Sequence, residues 1–411
     1  DGSCSIITQP EDGSQKYIEQ DGTYYEDEDA LAATHVAKVD DTYYSTMEAA
    51  IKAVGSGGII YVIKDIPNAT GISVPTGKDF TIDFGGHTYT LSGPGAGSTN
   101  TETNGFQLLK GSDITFKNGT IRIAKNANNI KRIIQNYADL TLEDMHIYAE
   151  NQVGGEEYAL SFNFGNIVFK GDTDIITTDD DTAVFDVYFW NNTSYQDGVS
   201  VTFDETYTGT INGTIIYDST DSDKAALIIQ GSGYIGAVDT SNSTNNGNNI
   251  KISGGSFGES VAEYVVDELN AELNSDGIYT YYETIEEALE QAEAGDTITD
   301  LSSQSGDSPE PVQVVTVTYN SNGHGEAPEG HKVTAGTDIT LKGMKDTDDY
   351  AFMGWSIGEE TYQPGEIFSV TGNTTFTAVW ARKTTPIIPS DKVGYIVEHY
   401  LEGRWGYELE D

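Results

Sequence analysis

Between residues 79 and 260 one four-residue pattern returns: a small polar residue, an apolar one, usually a β-former or lysine, then a second apolar one. The copies are Asp79-Phe80-Thr81-Ile82, Asp113-Ile114-Thr115-Phe116, Asp139-Leu140-Thr141-Leu142, Asn166-Ile167-Val168-Phe169, Ser200-Val201-Thr202-Phe203 and Asn249-Ile250-Lys251-Ile252. Their first residues are 34, 26, 27, 34 and 49 apart. The last gap is about two turns long, and Ala226-Leu227-Ile228-Ile229 reads as a degenerate copy within it. Alternation at period two puts the apolar members on one face of a strand. Gly85-Gly86, Asn118-Gly119, Gly171, Asn212-Gly213 and Gly254-Gly255 supply turns between strands. This spacing predicts a mainly β chain built as a right-handed parallel β-helix, or solenoid, with Phe80, Ile114, Leu140, Ile167 and Val201 in one interior column. A β-sandwich is the competing fold, because strand spacings near 8–12 residues also occur.

Two segments switch to helical period. Met47, Ala50, Ile51 and Val54 fall at i, i+3, i+4 and i+7, as do Ile285, Ala288, Leu289 and Ala292. Each follows a Tyr-Tyr pair, and Ser45 with Glu48, and Thr284 with Glu287, read as capping boxes. The first helix leads into the long β region and is expected to cap its open N-terminal end, since an exposed edge invites strand addition. The second soon reaches a Ser/Asp/Pro linker, Ser302–Pro311. The carboxyl third then forms a compact series of short strands and turns, including Phe352-Met353-Gly354-Trp355 and a closing run from Asn373 to Trp380. The expected division is a terminal segment or linker over 1–38, a capped β-helix over 39–270, a helix–strand unit and linker over 271–311, a small β module over 312–382, and a linker with the start of a truncated repeat over 383–411.

Tyr319, Asn322, Gly323, Val333, Gly336, Phe352, Gly354, Trp355, Tyr362, Gly365, Asn373, Ala378, Val379 and Trp380 make 313–382 resemble the internalin-type B-repeat, also called the Listeria–Bacteroides repeat. That resemblance covers about a sixth of the chain and implies a small β-grasp-like module in a surface-protein stalk, with no catalysis. Gly394–Asp411, which opens Gly-Tyr-Ile-Val-Glu-His-Tyr-Leu-Glu-Gly, resembles the opening strand of mucin-binding-type repeats. The region 39–270, from its Tyr-Tyr-x-Thr-x-x-x-Ala-Ile helix to Ile252–Phe257, resembles in layout the β-solenoid regions of large Gram-positive surface proteins.

Charge narrows the function. Asp and Glu number 66 against 21 Lys and Arg, a net charge of −45 over 411 residues. Nucleic acid requires a basic surface for counterion release, so it is excluded as a partner. An anionic membrane surface is disfavoured for the same reason, and no apolar run approaches the ~20 residues of a membrane span. No basic-then-apolar leader follows Asp1, so a signal peptide is expected to have been removed or left out. The single cysteine, Cys4, gives neither a disulfide framework nor a cysteine zinc site, and reads as an incidental thiol.

With carboxylates this abundant, a pair alone signifies little. Asp179 and Asp181, beside Asp174 and Asp180, are calcium candidates or glycosidase-like acids. Asp218, Asp221 and Asp223 mimic the alternating oxygens of a calcium loop without its sixth-position glycine or closing glutamate. β-Helices also house polysaccharide lyases and hydrolases. For that chemistry Asp144 and Asp179 would supply carboxylates and Arg122 the cation. His87 and His146 lack the glycine that such hydrolases place after histidine, and the net charge would repel a polyanionic uronate. Tyr188, Trp190, Asn191 and Asn192 are the better binding candidates: aromatic faces stack on sugar rings, and asparagines bond their hydroxyls.

The expected protein is therefore a secreted or wall-attached extracellular adhesin of a Gram-positive bacterium. It would be non-catalytic, binding a host or environmental glycan, mucin or other extracellular glycoprotein without a required cofactor, calcium being an optional ion. The alternatives are a polysaccharide-degrading β-helix enzyme and a structural stalk.

Overall fold

The computed structural model describes residues 4–7, 17–20, 23–25, 28–150, 165–177, 183–189, 197–219, 221–243, 249–302, 310–384, 400–403 and 406–409. By contacts the chain divides into two compact units, Asp1–Val314 and Val315–Asp411.

The first unit is dominated by long parallel ladders. One ladder joins, in order, Gly58–Val62, Asp79–Asp83, the start of Asp113–Ile123, the start of Asp139–Tyr148, Asn166–Lys170, Val199–Phe203, Ala225–Ile229 and Ile250–Ile252. Every neighbour in it is parallel, and the recurrent tetrapeptides pair position for position. Phe80, Ile114, Leu140, Ile167, Val201, Leu227 and Ile250 consequently form one buried column. The degenerate copy at 226–229 pairs Ala226 with Ser200, in register with the rest. These parallel ladders set aside the antiparallel pairing expected of a sandwich.

A second parallel ladder runs through Ile66–Ala69, Thr88–Leu91, the later halves of Asp113–Ile123 and Asp139–Tyr148, then Asp174–Ile176, Thr210–Ser219, Tyr234–Asp239 and Ser256–Phe257. The two ladders share the strands 113–123 and 139–148, which turn a corner at Asn118 (φ 57°) and Asp144 (φ 52°). There the strict in–out alternation of burial breaks for one residue. Left-handed backbone suits Asn and Asp, whose short polar side chains bond locally. Aromatic rings fill the interior: Phe169 stacks on Phe203 at 4.5 Å between centroids, and Phe106 lies 5.0 Å from Phe116. Each fully buried ring of this kind stabilises the fold by about 1.5–3 kcal/mol.

Outward side chains at the end of the first ladder form an alternating charge column. Lys117 is the register partner of Asp83 and of Glu143, and Glu143 is that of Lys170. Lys117 lies 3.6 Å from Asp83, and Lys170 lies 3.7 Å from Asp204.

Both ends of the parallel region carry the same antiparallel unit. At the N-terminal end Ala37–Val39 pairs with Thr42–Tyr44 and Gly58–Val62, with the helix Met47–Ala53 between them. At the other end Ala271–Ser275 pairs with Ile278–Tyr282 and Thr297–Asp300 around the helix Ile285–Gln291. Met47, Ala50 and Ile51 join the main core. The first helix is capped by Thr46, whose hydroxyl accepts the Ala49 N–H, one residue later than the Ser45 cap read from sequence. Thr284 caps the second as expected, accepting from Glu287 N–H. Ser256–Phe257 pairs antiparallel with Ile278–Tyr282, so the last parallel strand is covered by this closing unit.

A buried carboxylate fastens that closure. Glu272, 7% exposed, accepts hydrogen bonds from the Ser260 hydroxyl and, at 2.8 Å, from Tyr281 Oη. Thr299 Oγ1 approaches its other oxygen at 3.4 Å, and Val261 N–H donates to Tyr281 Oη at 2.8 Å.

In the second unit residues 317–320 run parallel to 374–377, and Tyr350–Ile357 pairs antiparallel with Thr374–Arg382. Thr337–Thr340 and Ile367–Val370 form a separate two-stranded sheet. Trp355 is fully buried, donates its indole N–H to Lys342 O at 2.6 Å, and packs against Tyr319 and Phe352.

Buried tyrosines make alkaline stability predictable. Burial pushes the Tyr217 hydroxyl from 10.0 up to about 12, with the Asp221 charge adding to it. Burial likewise raises Tyr89, Tyr207 and Tyr281. A raised folded value means that the native state retains protons the unfolded chain releases, so stability falls as pH rises above about 10. Denaturation followed by circular dichroism is expected to show steep loss from pH 10 upward, with the tyrosinate absorbance of the buried rings appearing together with unfolding. Tyrosinate forming fully while the far-ultraviolet signal stays native would contradict this.

Candidate functional site

The outer side of the second ladder carries a continuous polar and aromatic column. Thr88, Thr120, His146 and Asp174 are successive register partners, and Thr210, Tyr234 and Ser256 continue the row. All seven are partly exposed. Asp174 links the two halves: one oxygen lies 2.8 Å from His146 Nδ1, and the other accepts Thr210 N–H at 2.8 Å. Seven strands at about 4.8 Å spacing give a face about 29 Å long.

At its C-terminal end the face deepens into a cleft of about 670 Å³. Tyr234 and Tyr264 line it, with the hydroxyls of Thr214, Thr240, Ser241 and Ser260 and the carboxylates of Asp239, Glu259 and Glu263. Thr240 Oγ1 and Tyr264 Oη lie 2.9 Å apart, Glu259 accepts Val238 N–H at 3.3 Å, and Asp239 accepts Ser241 N–H at 2.8 Å. The backbone thus holds two of the carboxylates in place. Burial raises the Tyr264 hydroxyl, and the Glu263 and Asp239 charges add to it against the opposing bond from Thr240. Tyr264 therefore remains a neutral donor and ring face at physiological pH.

Of the residues singled out from sequence, Tyr188 lies on a strand, Ala183–Phe189, that pairs with the strand contributing Thr214 to the cleft. It is the register partner of Asp218 on the adjacent strand. Burial raises its hydroxyl, with the Asp218 and Asp186 charges contributing, and burial also raises the Asp218 carboxyl. Asp218 is followed by a turn in which Asp221 Oδ1 accepts Asp223 N–H at 3.2 Å, and Ser219 Oγ donates to Asp221 O at 2.8 Å. The Asp221 carboxylate thus bonds within its own turn. Among the described residues no group of three or more His, Cys, Asp or Glu side chains converges as a metal site. Trp190, Asn191, Asn192, Asp179 and Asp181 lie outside the described residues.

Asp144 and Arg122 occupy different settings. Asp144 is the corner residue described above, and its Oδ1 accepts Asp172 N–H at 2.8 Å. Arg122 is exposed on the outer side of the second ladder, the register partner of Thr90 and Tyr148. Tyr234, Tyr264, Asp239, Glu259 and Glu263 were not foreseen. For Tyr234 the only local signal was its place directly before the buried Ile235, since Tyr-Ile-Gly-Ala-Val-Asp does not alternate strictly. Glu259, Glu263 and Tyr264 follow the last parallel strand, outside any repeated pattern.

Comparison with protein-family models, curated proteins and solved structures finds no match for this chain. No helix among the described residues is long and apolar enough to cross a membrane.

Proposed function

We propose that this chain is a non-catalytic glycan-binding protein of the extracellular surface, with its parallel ladders forming a β-solenoid and its outer face receiving the ligand. The observation that carries the reading is the cleft lined by Tyr234 and Tyr264 at the end of the polar column. Saccharides present apolar C–H faces and hydroxyl edges. Tyrosine rings suit the former, and carboxylates, Ser and Thr suit the latter. A cleft of this volume matches a short oligosaccharide, and the column offers the remaining length to a linear chain. The engagement of Asp144 by the backbone favours binding over hydrolysis. Resemblance of the second unit to an internalin-type B-repeat supports a place on the outside of a Gram-positive cell, and mucin or another glycoprotein is the proposed carrier of the glycan.

Binding of the full chain to immobilised neutral oligosaccharides and mucins tests the reading. Tyr264→Ala is expected to weaken retention at least about tenfold, equivalent to about 1.4 kcal/mol. Unchanged retention in that variant, or release of new reducing ends by the unmodified protein, would overturn it.

A further inference from the structure

We propose that Arg122 and Lys125, with the ring of Tyr148, form a second subsite on the same face that takes the anionic substituent of an acidic sugar, a sulfate ester or a carboxylate. This rests on the reading of that face as glycan-binding and adds the charge class of the ligand.

Charge distribution motivates it. Between Asp113 and Asp139 the sequence has no Asp or Glu, yet it carries Lys117, Arg122, Lys125, Lys131 and Arg132. In a chain with 66 acids among 411 residues this is a local reversal of sign. Lys117 is neutralised by Asp83, and Lys131 and Arg132 are half-buried. Arg122 and Lys125 are exposed and, among the described residues, make no ion pair. Glu150, two residues beyond Tyr148, is also exposed and pairs with neither. Asp174, the acid of the neighbouring column, is engaged by His146 and Thr210.

The geometry fits a charged sugar. Arg122 and Tyr148 are register partners on adjacent strands, and Tyr148 is 38% exposed. A guanidinium fork binds carboxylate or sulfate through two parallel N–H donors, and a lysine adds a point charge. The tyrosine ring beside it offers a stacking face. The chain's overall −45 opposes approach of an anion. At physiological salt that field is screened beyond about 8 Å, so contact with the local pair decides binding. Two exposed cations are too few for a nucleic-acid backbone, which needs a broader basic surface.

The test measures binding of the full chain, at physiological salt, to chondroitin sulfate, its desulfated form, a sialylated oligosaccharide and a neutral oligosaccharide. The sulfated or sialylated ligand is expected to bind at least about tenfold more tightly than its neutral counterpart. The Arg122→Gln, Lys125→Gln double variant is expected to abolish that difference while leaving Tyr264-dependent neutral binding intact. Both substitutions are at exposed positions, so folding is retained. Whether sulfate or carboxylate is preferred follows from comparing the first and third ligands. Equal binding of charged and neutral ligands, or an unaffected double variant, overturns the subsite. A separate titration with glucose 6-sulfate, followed by the Arg122 side-chain N–H resonance, distinguishes the two readings. A shift there without any neutral-glycan binding would retain the subsite and reject the glycan face. Neutral binding with no shift would do the reverse.

Discussion

Trp355→Ala is expected to unfold the second unit and leave the first intact. The indole is fully buried and bonded to Lys342 O, so its removal costs both packing and a hydrogen bond. Tryptophan-to-alanine changes in a core cost about 3–5 kcal/mol. A unit of roughly 70 residues has a total stability of about 4–10 kcal/mol, so the loss takes much or all of it. The two units have separate cores, and the transition of the first should not move. Limited proteolysis should then yield a resistant fragment ending near residue 314, with the remainder digested. Survival of both units, or simultaneous loss of both, would refute this. Trp355→Phe, which keeps a ring in place, should cost distinctly less.

Glu272→Ala should have the second-largest effect, inside the first unit. The carboxylate is the common acceptor for Ser260, Tyr281 and Thr299. Removing it leaves three hydroxyls short of an acceptor in a buried place, at about 1–3 kcal/mol for each donor left unsatisfied. The contributions overlap, so a total of about 3–5 kcal/mol is expected in denaturant unfolding. Cleavage should appear first between residues 258 and 300, where the closing unit meets the last parallel strand. Glu272→Gln retains an amide oxygen as acceptor and should lose less than half as much. A Glu272→Ala protein within 1 kcal/mol of the original would show that the closure rests on packing alone.

The parallel ladder was legible because its signal is local and repeated. Asp79-Phe80-Thr81-Ile82 and its successors carry their own alternation, and the shared pattern, despite unequal spacing, aligns Phe80 with Ile114 without knowledge of anything between. The degenerate copy was recognisable because Leu227 kept its apolar place. The cap of the first helix was misplaced by one residue because Ser45 and Thr46 are both good caps, and only the backbone turn at Thr46 chooses between them. The cleft was not legible. Tyr234 belongs to a ladder strand, whereas Tyr264 follows the end of the ladder, and their approach depends on how the chain turns after Ser256–Phe257. No repeat encodes that turn. Asp144, named from sequence as a candidate carboxylate, occupies a corner where φ is positive, and its Oδ1 accepts the Asp172 N–H, a local role that the sequence pattern did not announce.

The charge column of Asp83, Lys117, Glu143, Lys170 and Asp204 bears on how such a chain can grow. Removing or duplicating a single strand segment would set like against like: loss of the strand bearing Glu143 brings Lys117 beside Lys170. Removing or adding two restores the alternation. Like charges directly opposite each other on neighbouring strands are unfavourable. The column therefore acts as a parity rule on lengthening, under which this part of the array tolerates change by pairs of strands and resists change by one.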